Sequence, residues 1–374
     1  MEPTPREHPR FRIIPRPSDQ LVIFFSGSSA PDHHFHWWKI ANRIDANVIL
    51  INNGLNQWYQ QGVPGLGDSY EETLDTLRAW ITALGVKRVY TCGASMGGSA
   101  ALMYGGPLDA AVLGFGFEPH MNYPFGHVQR IMDKSCPIAV ADSRPLARDS
   151  RKPVLVYAGE NYPADVLGAH DLMGFPAVSV STVRRCGHDL ALQLRRAGDL
   201  DPIIDAFLAD RPPPKAKAAG RACEIPEDPS VLYAAECATL SKEWESAESH
   251  ARRAIALYPS AEWPYLLLGQ ALLRLGRPAE AIPYLSAALS LHPDLDQAEF
   301  LLGNALRKIG ELFEAVRIHR RRIKRNPNAH SSHYDIGLIY QKLGNVRKAQ
   351  EEFQTAIKLS PRTAGYKARL DALA

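Results

Sequence analysis

No stretch of this 374-residue sequence approaches the roughly 20 apolar residues that a membrane-spanning helix needs, and the opening residues MEPTPREHPRFRIIPRPS hold no apolar leader segment. The expected location is the cytoplasm. Cysteine is sparse: Cys92, Cys136, Cys186, Cys223 and Cys237 are odd in number, widely spaced and without a C-x-x-C pair. That argues against a disulfide framework or a cysteine zinc site and fits reduced thiols. A surplus of either charge is missing too. The 43 basic and 40 acidic residues leave +3, which makes no global claim on nucleic acid. Apolar residues are not short, at 45%, and a chain of this length is expected to hold two domains, each with its own core.

The first half alternates short apolar runs with helical patterns. Residues 11–14 read as an edge strand, and residues 21–25 (LVIFF) as a strand buried on both faces. That strand runs into Ser26-Gly27-Ser28-Ser29, a small polar loop whose N–H groups can approach a substrate oxygen. Residues 31–44 turn into a helix from about Trp37. Their histidines, His33, His34 and His36, lack the further ligand set a metal would need and read as pocket-rim residues. After a buried strand at 47–51 comes a polar loop rich in glycine and asparagine. Loops at the carboxyl ends of strands line the crevice of an open α/β sheet, so Asn52, Asn53, Asn56, Trp58 and Tyr59 are candidate contacts to a hydroxyl-rich ligand such as a sugar. The competing reading is a surface loop pinned by Trp58. Residues 68–84 carry a helix N-cap signal at Asp68 or Ser69 and an apolar face, and end at Gly85.

Residues 91–100, TCGASMGGSA, contain Gly93-Ala94-Ser95-Met96-Gly97, a G-x-S-x-G pattern between an apolar strand at 86–92 and a small-residue helix start. Strand, sharp turn and helix in that order lift a serine hydroxyl clear of a sheet. A strand at 110–117 follows. Residues 118–151 form a loose excursion read as a small lid, and strands at 153–158 and 177–182 precede Cys186-Gly187-His188-Asp189 and helices at 190–197 and 201–208. A serine hydroxyl is a weak nucleophile at neutral pH, so an imidazole must take its proton and a carboxylate must orient the imidazole.

On these motifs, GASMGG and CGHD, residues 11–210 resemble the α/β-hydrolase fold, a mostly parallel, three-layer α/β architecture. The resemblance implies a triad in the order serine, acid, histidine: Ser95, then Asp165, with Glu160 and Glu118 as alternatives, then His188. The family's usual aspartate position after the strand end at Gly159 is held by Tyr162. The oxyanion would be held by the amides of Met96 and of the 26–29 loop, Ser28 or Ser29.

Residues 211–227, with a triple proline followed by lysine, alanine and glycine, read as a linker. Beyond it Pro259, Pro293, Pro327 and Pro361 recur every 34 residues, with Gly269, Gly303 and Gly337, then Ala247, Ala281, Ala315 and Ala349, and Ala254, Ala288 and Ala356 in phase. Residues 228–374 thus resemble the tetratricopeptide (TPR) family: an all-α solenoid of about four repeats closed by a helix at 363–373. Arg322 breaks the small-residue pattern within residues 319–326 (HRRRIKRN), which read as a solvated basic face or a patch for an acidic partner.

The functional expectation is a serine-dependent esterase or O-acyltransferase, carried with a repeat domain that offers a groove to a protein or peptide. Fusion of these two domains resembles proteins found beside bacterial surface-polysaccharide machinery, which implies an ester- or hydroxyl-bearing glycan or small molecule. No cofactor is implied, and acyl-CoA would be the donor for a transferase. The competing readings are an inactive hydrolase-like domain in a binding protein, and a thioesterase or peptidase.

Overall fold

The computed structural model describes residues 7–54, 56–223 and 229–373. The chain divides into two compact units between Tyr233 and Ala234.

In the N-terminal unit the short apolar runs become one mixed sheet: β1 (Glu7–His8), β2 (Phe11–Ile14), β3 (Gln20–Phe25), β4 (Asn47–Ile51), β5 (Arg88–Ala94), β6 (Ala111–Phe115), β7 (Val154–Gly159) and β8 (Val178–Val183). Their order across the sheet is β1-β2-β4-β3-β5-β6-β7-β8. The pairs β1/β2 and β2/β4 are antiparallel, and β3 to β8 all run parallel. Alternate residues of β3 feed opposite faces. Val22 and Phe24 join a core with Trp37, Ile40, Leu194, Ile203 and Phe207. On the other face Phe25 stacks on Tyr104 of the helix Met96–Gly105 at 5.4 Å between ring centroids. Helices therefore cover both faces, and the central strands have no polar side, which is why they read as unbroken apolar runs.

The helix Tyr70–Leu84 starts where a cap is available: Ser69 Oγ accepts from Glu72 N at 3.1 Å, and Glu72 in return accepts from Asp68 N at 2.8 Å. It ends at Gly85 in the left-handed region, φ 62°. The excursion at 118–151 forms two short helices, His127–Ile131 and Arg144–Arg148.

Residues 212–223 differ from a free linker. Arg184 N donates to Ala218 O at 2.8 Å and Gly220 N to Thr182 O at 2.7 Å, so this segment bridges onto the carboxyl end of β8. Ala216 joins the sheet core and Ala222 is buried. Its hold is Glu160, whose Oε1 accepts from Arg221 N (2.7 Å), Ala222 N (2.8 Å) and Thr182 Oγ1 (2.8 Å). Proline and lysine hide this in the sequence, because backbone donors, not side chains, carry the contact.

The C-terminal unit is an all-helical solenoid. The 34-residue phase corresponds to the pairs Glu262–Arg274 with Pro278–Leu291, Asp296–Ile309 with Leu312–Arg325, and His330–Lys342 with Val346–Leu359. Helix Trp244–Leu257 precedes them and Tyr366–Asp371 follows. Glycine recurs at 269, 303 and 337 because a β-carbon there would stand 2.5 Å from the side chains of Leu285, His319 and Phe353 on the paired helix.

The arginines of the basic stretch are paired within the unit. Arg320 pairs with Glu352, and Arg321 and Arg325 both pair with Glu299, a fully buried carboxylate. Arg322 reaches Asp296 at 2.7 Å and lies over the Phe300 ring at 5.1 Å, with Ser331 and Ser332 each accepting at 2.9 Å. A longer side chain replaces the repeat's alanine here because it is held by acidic and hydroxyl partners on the helices beside it. Arg320, Arg321, Lys324 and Arg325 stay exposed, so the stretch is a solvated basic face whose arginines are paired within the unit.

Candidate active site

Glycines define the turn that carries Ser95. A β-carbon at Gly93 would stand 1.9 Å from Gly97 O, and one at Gly97 would stand 2.3 Å from Phe25 O. Only bare backbone fits between the end of β5, the end of β3 and the helix that starts at Met96. Ser95 itself adopts φ 56°, ψ −126°, a conformation costing about 1–3 kcal/mol that packed surroundings must impose. Its amide is anchored on Phe115 O at 3.0 Å. The hydroxyl is thereby presented at the carboxyl edge of the sheet.

His188, in the loop after β8, meets it there. Ser95 Oγ lies 2.7 Å from His188 Nε2, and His188 Nδ1 lies 2.8 Å and 3.1 Å from the two carboxylate oxygens of Asp165. With Nδ1 donating to the carboxylate, Nε2 is left to accept the serine proton. Asp165 is fully buried in the first turn of the helix Pro163–His170, after β7, where the helix dipole favours a negative charge. Burial raises the Asp165 pKa and the His188 charge opposes that rise. For His188 burial works downward, but Asp165, with Glu118 and Asp189 behind it, outweighs it and the net shift is upward.

The other carboxylates stand elsewhere. Glu160 is occupied by the 221–222 amides and Thr182, as described above. Glu118 is buried and accepts from the amides of His127 (2.5 Å) and Val128 (3.3 Å). Burial first, and the Asp165 charge second, push its pKa up to about 7. Neither glutamate is hydrogen-bonded to His188.

His127 was not visible from the sequence as a site residue. Its ring packs against that of His188 at 4.1 Å between centroids, tilted by 32°, and Tyr162 flanks His188 at 4.8 Å. Burial, then His188 and Arg130, lower the His127 pKa to about 3, so it stays neutral when His188 takes a proton. The only sequence signal is an isolated histidine in a loose segment, 61 residues before its partner, which nothing local distinguishes.

In the loop after β3, Ser29 N donates to Asn56 Oδ1 at 3.2 Å and Gly27 N to His36 Nδ1 at 3.1 Å. Desolvation, and then His34, lower the His36 pKa, which favours the neutral ring able to accept that bond. Ser28, between them, lines the cavity beside Ser95, and no acceptor among the described residues engages its amide. Met96, as the first residue of its helix, has no intrahelical acceptor for its amide.

The 52–59 loop does not supply the expected ligand contacts. Asn53 and Tyr59 are fully buried and Trp58 is 2% exposed. Tyr59 Oη donates to Ser26 O at 2.9 Å, Asn53 Nδ2 to Gly62 O at 3.1 Å, and Asn52 Nδ2 to Pro31 O (2.7 Å) and His34 O (2.9 Å). Trp58 backs the His127 ring at 6.1 Å. These amides and rings saturate buried backbone and brace the serine loop, and Asn56 acts on Ser29 rather than on the cavity.

The cavity itself, about 810 Å³, opens between the 27–39 loop and helix Leu190–Ala197, with Ser95, His127 and His188 in its wall. His33, His34 and His36 line it, as do Phe35, Trp37 and Trp38. Among the described residues no helix is long and apolar enough to cross a membrane.

Comparison with curated proteins finds no match. Among solved structures, MamA from Desulfovibrio magneticus RS-1 is similar at 22% identity over 38% of this chain and 81% of that one, with a TM-score of 0.36. YrrB, described as a TPR protein with an unusual peptide-binding site, is similar at 21% identity over 49% and 89%, TM-score 0.37. A thermophilic TPR protein of Thermus thermophilus is similar at 17% over 50% and 95%, TM-score 0.35. Residues 266–330 and 330–363 match two family profiles, each described as tetratricopeptide repeat. The C-terminal region is a tetratricopeptide-repeat solenoid.

Proposed function

We propose that the N-terminal unit is an α/β-hydrolase-type serine enzyme that moves an acyl group through Ser95. The observation that carries this reading is the unbroken chain Ser95 Oγ, His188 Nε2, His188 Nδ1, Asp165, at 2.7 and 2.8 Å, opening on a cavity. The three residues follow β5, β7 and β8 in the order serine, acid, histidine that this fold uses, which supports it further. With Asp165 in reach of the imidazole, the reading of an inactive domain loses the displaced acid that motivated it.

In this mechanism Ser95 Oγ attacks the substrate carbonyl while His188 Nε2 takes its proton. Negative charge on the carbonyl oxygen meets the amides of Met96 and Ser28, whose free N–H groups flank the serine. His188 then gives the proton to the departing oxygen, leaving an acyl-Ser95 ester. Water or an acceptor hydroxyl, activated by the same imidazole, attacks that ester and frees Ser95. The neutral His127 ring against His188 shields the imidazole from bulk water without adding a like charge.

A fluorophosphonate probe tests this directly. It should label the wild-type protein and fail on Ser95→Ala and His188→Ala; folded wild type that takes no label would sink the proposal. Hydrolysis and transfer separate by comparing acetyl-CoA turnover with and without sugar acceptors against 4-nitrophenyl ester hydrolysis. Turnover indifferent to the acceptor assigns the enzyme to the esterases. For the repeat unit we propose a peptide or protein partner, supported by the tetratricopeptide family matches.

A further inference from the structure

The catalytic cavity is unevenly charged. Arg12, Lys39 and Arg195 line it, against a single carboxylate, Asp189. Arg12 is already paired with Glu7 at 2.6 Å and lies over the Trp38 ring at 4.7 Å. Lys39 and Arg195 have no carboxylate partner among the described residues, whereas Arg43 and Arg88 in the same unit are paired with Asp205 and Asp19. They come from different elements, helix Trp38–Ala41 and the last turn of helix Leu190–Ala197, yet border the same cavity. The same lining includes the apolar side chains of Phe35, Trp37, Trp38, Leu192 and Leu200. Trp38 and Leu192 are 39% and 46% exposed, large apolar surfaces open to solvent in that lining.

We propose that Lys39 and Arg195 form an anion subsite, and that the substrate of Ser95 carries a carboxylate or phosphate on an apolar stem, remote from the scissile carbonyl. This rests on the acyl-transfer reading above. Unpaired cations beside low-dielectric walls focus positive potential into the cavity, and the apolar wall takes the stem. The covalent step is unchanged. The Ser95 Oγ–acyl bond forms, the bond from the carbonyl carbon to the leaving oxygen breaks, and the serine proton passes through His188 to that oxygen. The anion is a handle that enters no bond exchange.

Calorimetric titration of the full-length Ser95→Ala protein reads the subsite without turnover. Hexyl phosphate and hexanoate are compared with hexanol at low ionic strength. The anions should bind about tenfold tighter or more than the alcohol, and the margin should shrink with added salt. It should vanish in Ser95→Ala/Lys39→Gln/Arg195→Gln, with circular dichroism confirming the fold. A larger margin for hexyl phosphate assigns a phosphate group, and a larger one for hexanoate a carboxylate. Equal binding of all three ligands, or a preference that survives the triple variant, overturns the subsite. An intact preference in a protein whose wild type takes no fluorophosphonate label would instead overturn the acyl-transfer reading and leave the anion site standing.

Discussion

Replacing Asp165 by asparagine keeps the shape of a fully buried side chain and removes its charge. In the wild type the carboxylate lies 2.8 Å from His188 Nδ1, and the imidazolium that forms during attack is stabilised by it. Unit charges about 4 Å apart at an effective dielectric near 20 attract by about 4 kcal/mol. At roughly 1.4 kcal/mol per decade that is about a thousandfold in rate, and a wrong ring tautomer adds to the loss. The assay is the second-order rate of fluorophosphonate labelling followed across pH. In the wild type labelling rises with pH as His188 loses its proton, and Asp165 holds that titration above the ordinary histidine value. In Asp165→Asn the main upward influence is gone and burial still acts downward, so the limb should move to lower pH while the plateau falls about a thousandfold. A plateau within tenfold of wild type, or a limb that does not move, would refute the role given to Asp165.

Glu118, raised to about 7 by burial, should leave a mark on stability. Its folded pKa exceeds its ordinary 4.5, so the stability it contributes is complete below about pH 4.5 and lost as pH rises through about 7. The melting temperature of wild type relative to Glu118→Gln should therefore fall over that window, and parallel curves would count against it. Gly97→Ala places a β-carbon 2.3 Å from Phe25 O and should cost about 3 kcal/mol or more in urea unfolding, because backbone on both sides leaves nothing flexible to yield. In the repeat unit, Arg321→Met with Arg325→Met strands the buried Glu299 carboxylate at a cost of about 3–5 kcal/mol. Adding Glu299→Gln should recover most of that loss, and no recovery would show that packing rather than charge was removed.

What the sequence exposed and what it hid divide along a physical line. The elbow was legible because its constraint is steric and local: glycines at 93 and 97 are the visible trace of backbone contacts under 2.5 Å. The repeats were legible because the same close helix packing recurs every 34 residues. Asp165 was only one of three candidates, because the distance along the chain from a strand end to a carboxylate is not fixed; here Glu160, Asn161 and Tyr162 separate β7 from the helix that carries it. His127 was missed because ring packing between distant segments leaves no local pattern. The 52–59 loop misled in the opposite way. Asparagines and aromatics suited to a sugar are equally suited to buried backbone, and Asn52, Asn53 and Tyr59 are spent on carbonyl oxygens. Residues 319–326 keep the exposed basic face read from the sequence, but charge counted along the chain does not show the acidic partners that neighbouring helices bring to its arginines.

The strap of residues 218–222 over β8 bears on how this protein can be cut and recombined. β8 closes one side of the sheet, and an uncovered outer strand offers its free amides and carbonyls to any other chain. A gene fragment stopped at residue 210, where composition turns to proline and lysine, would strip that cover and leave Glu160 with only Thr182 of the three donors that hold it. Such a fragment should self-associate during expression. One that continues through Tyr233, the last residue of the N-terminal unit, keeps the strap, so a junction for exchanging the repeat array against another belongs no earlier than there.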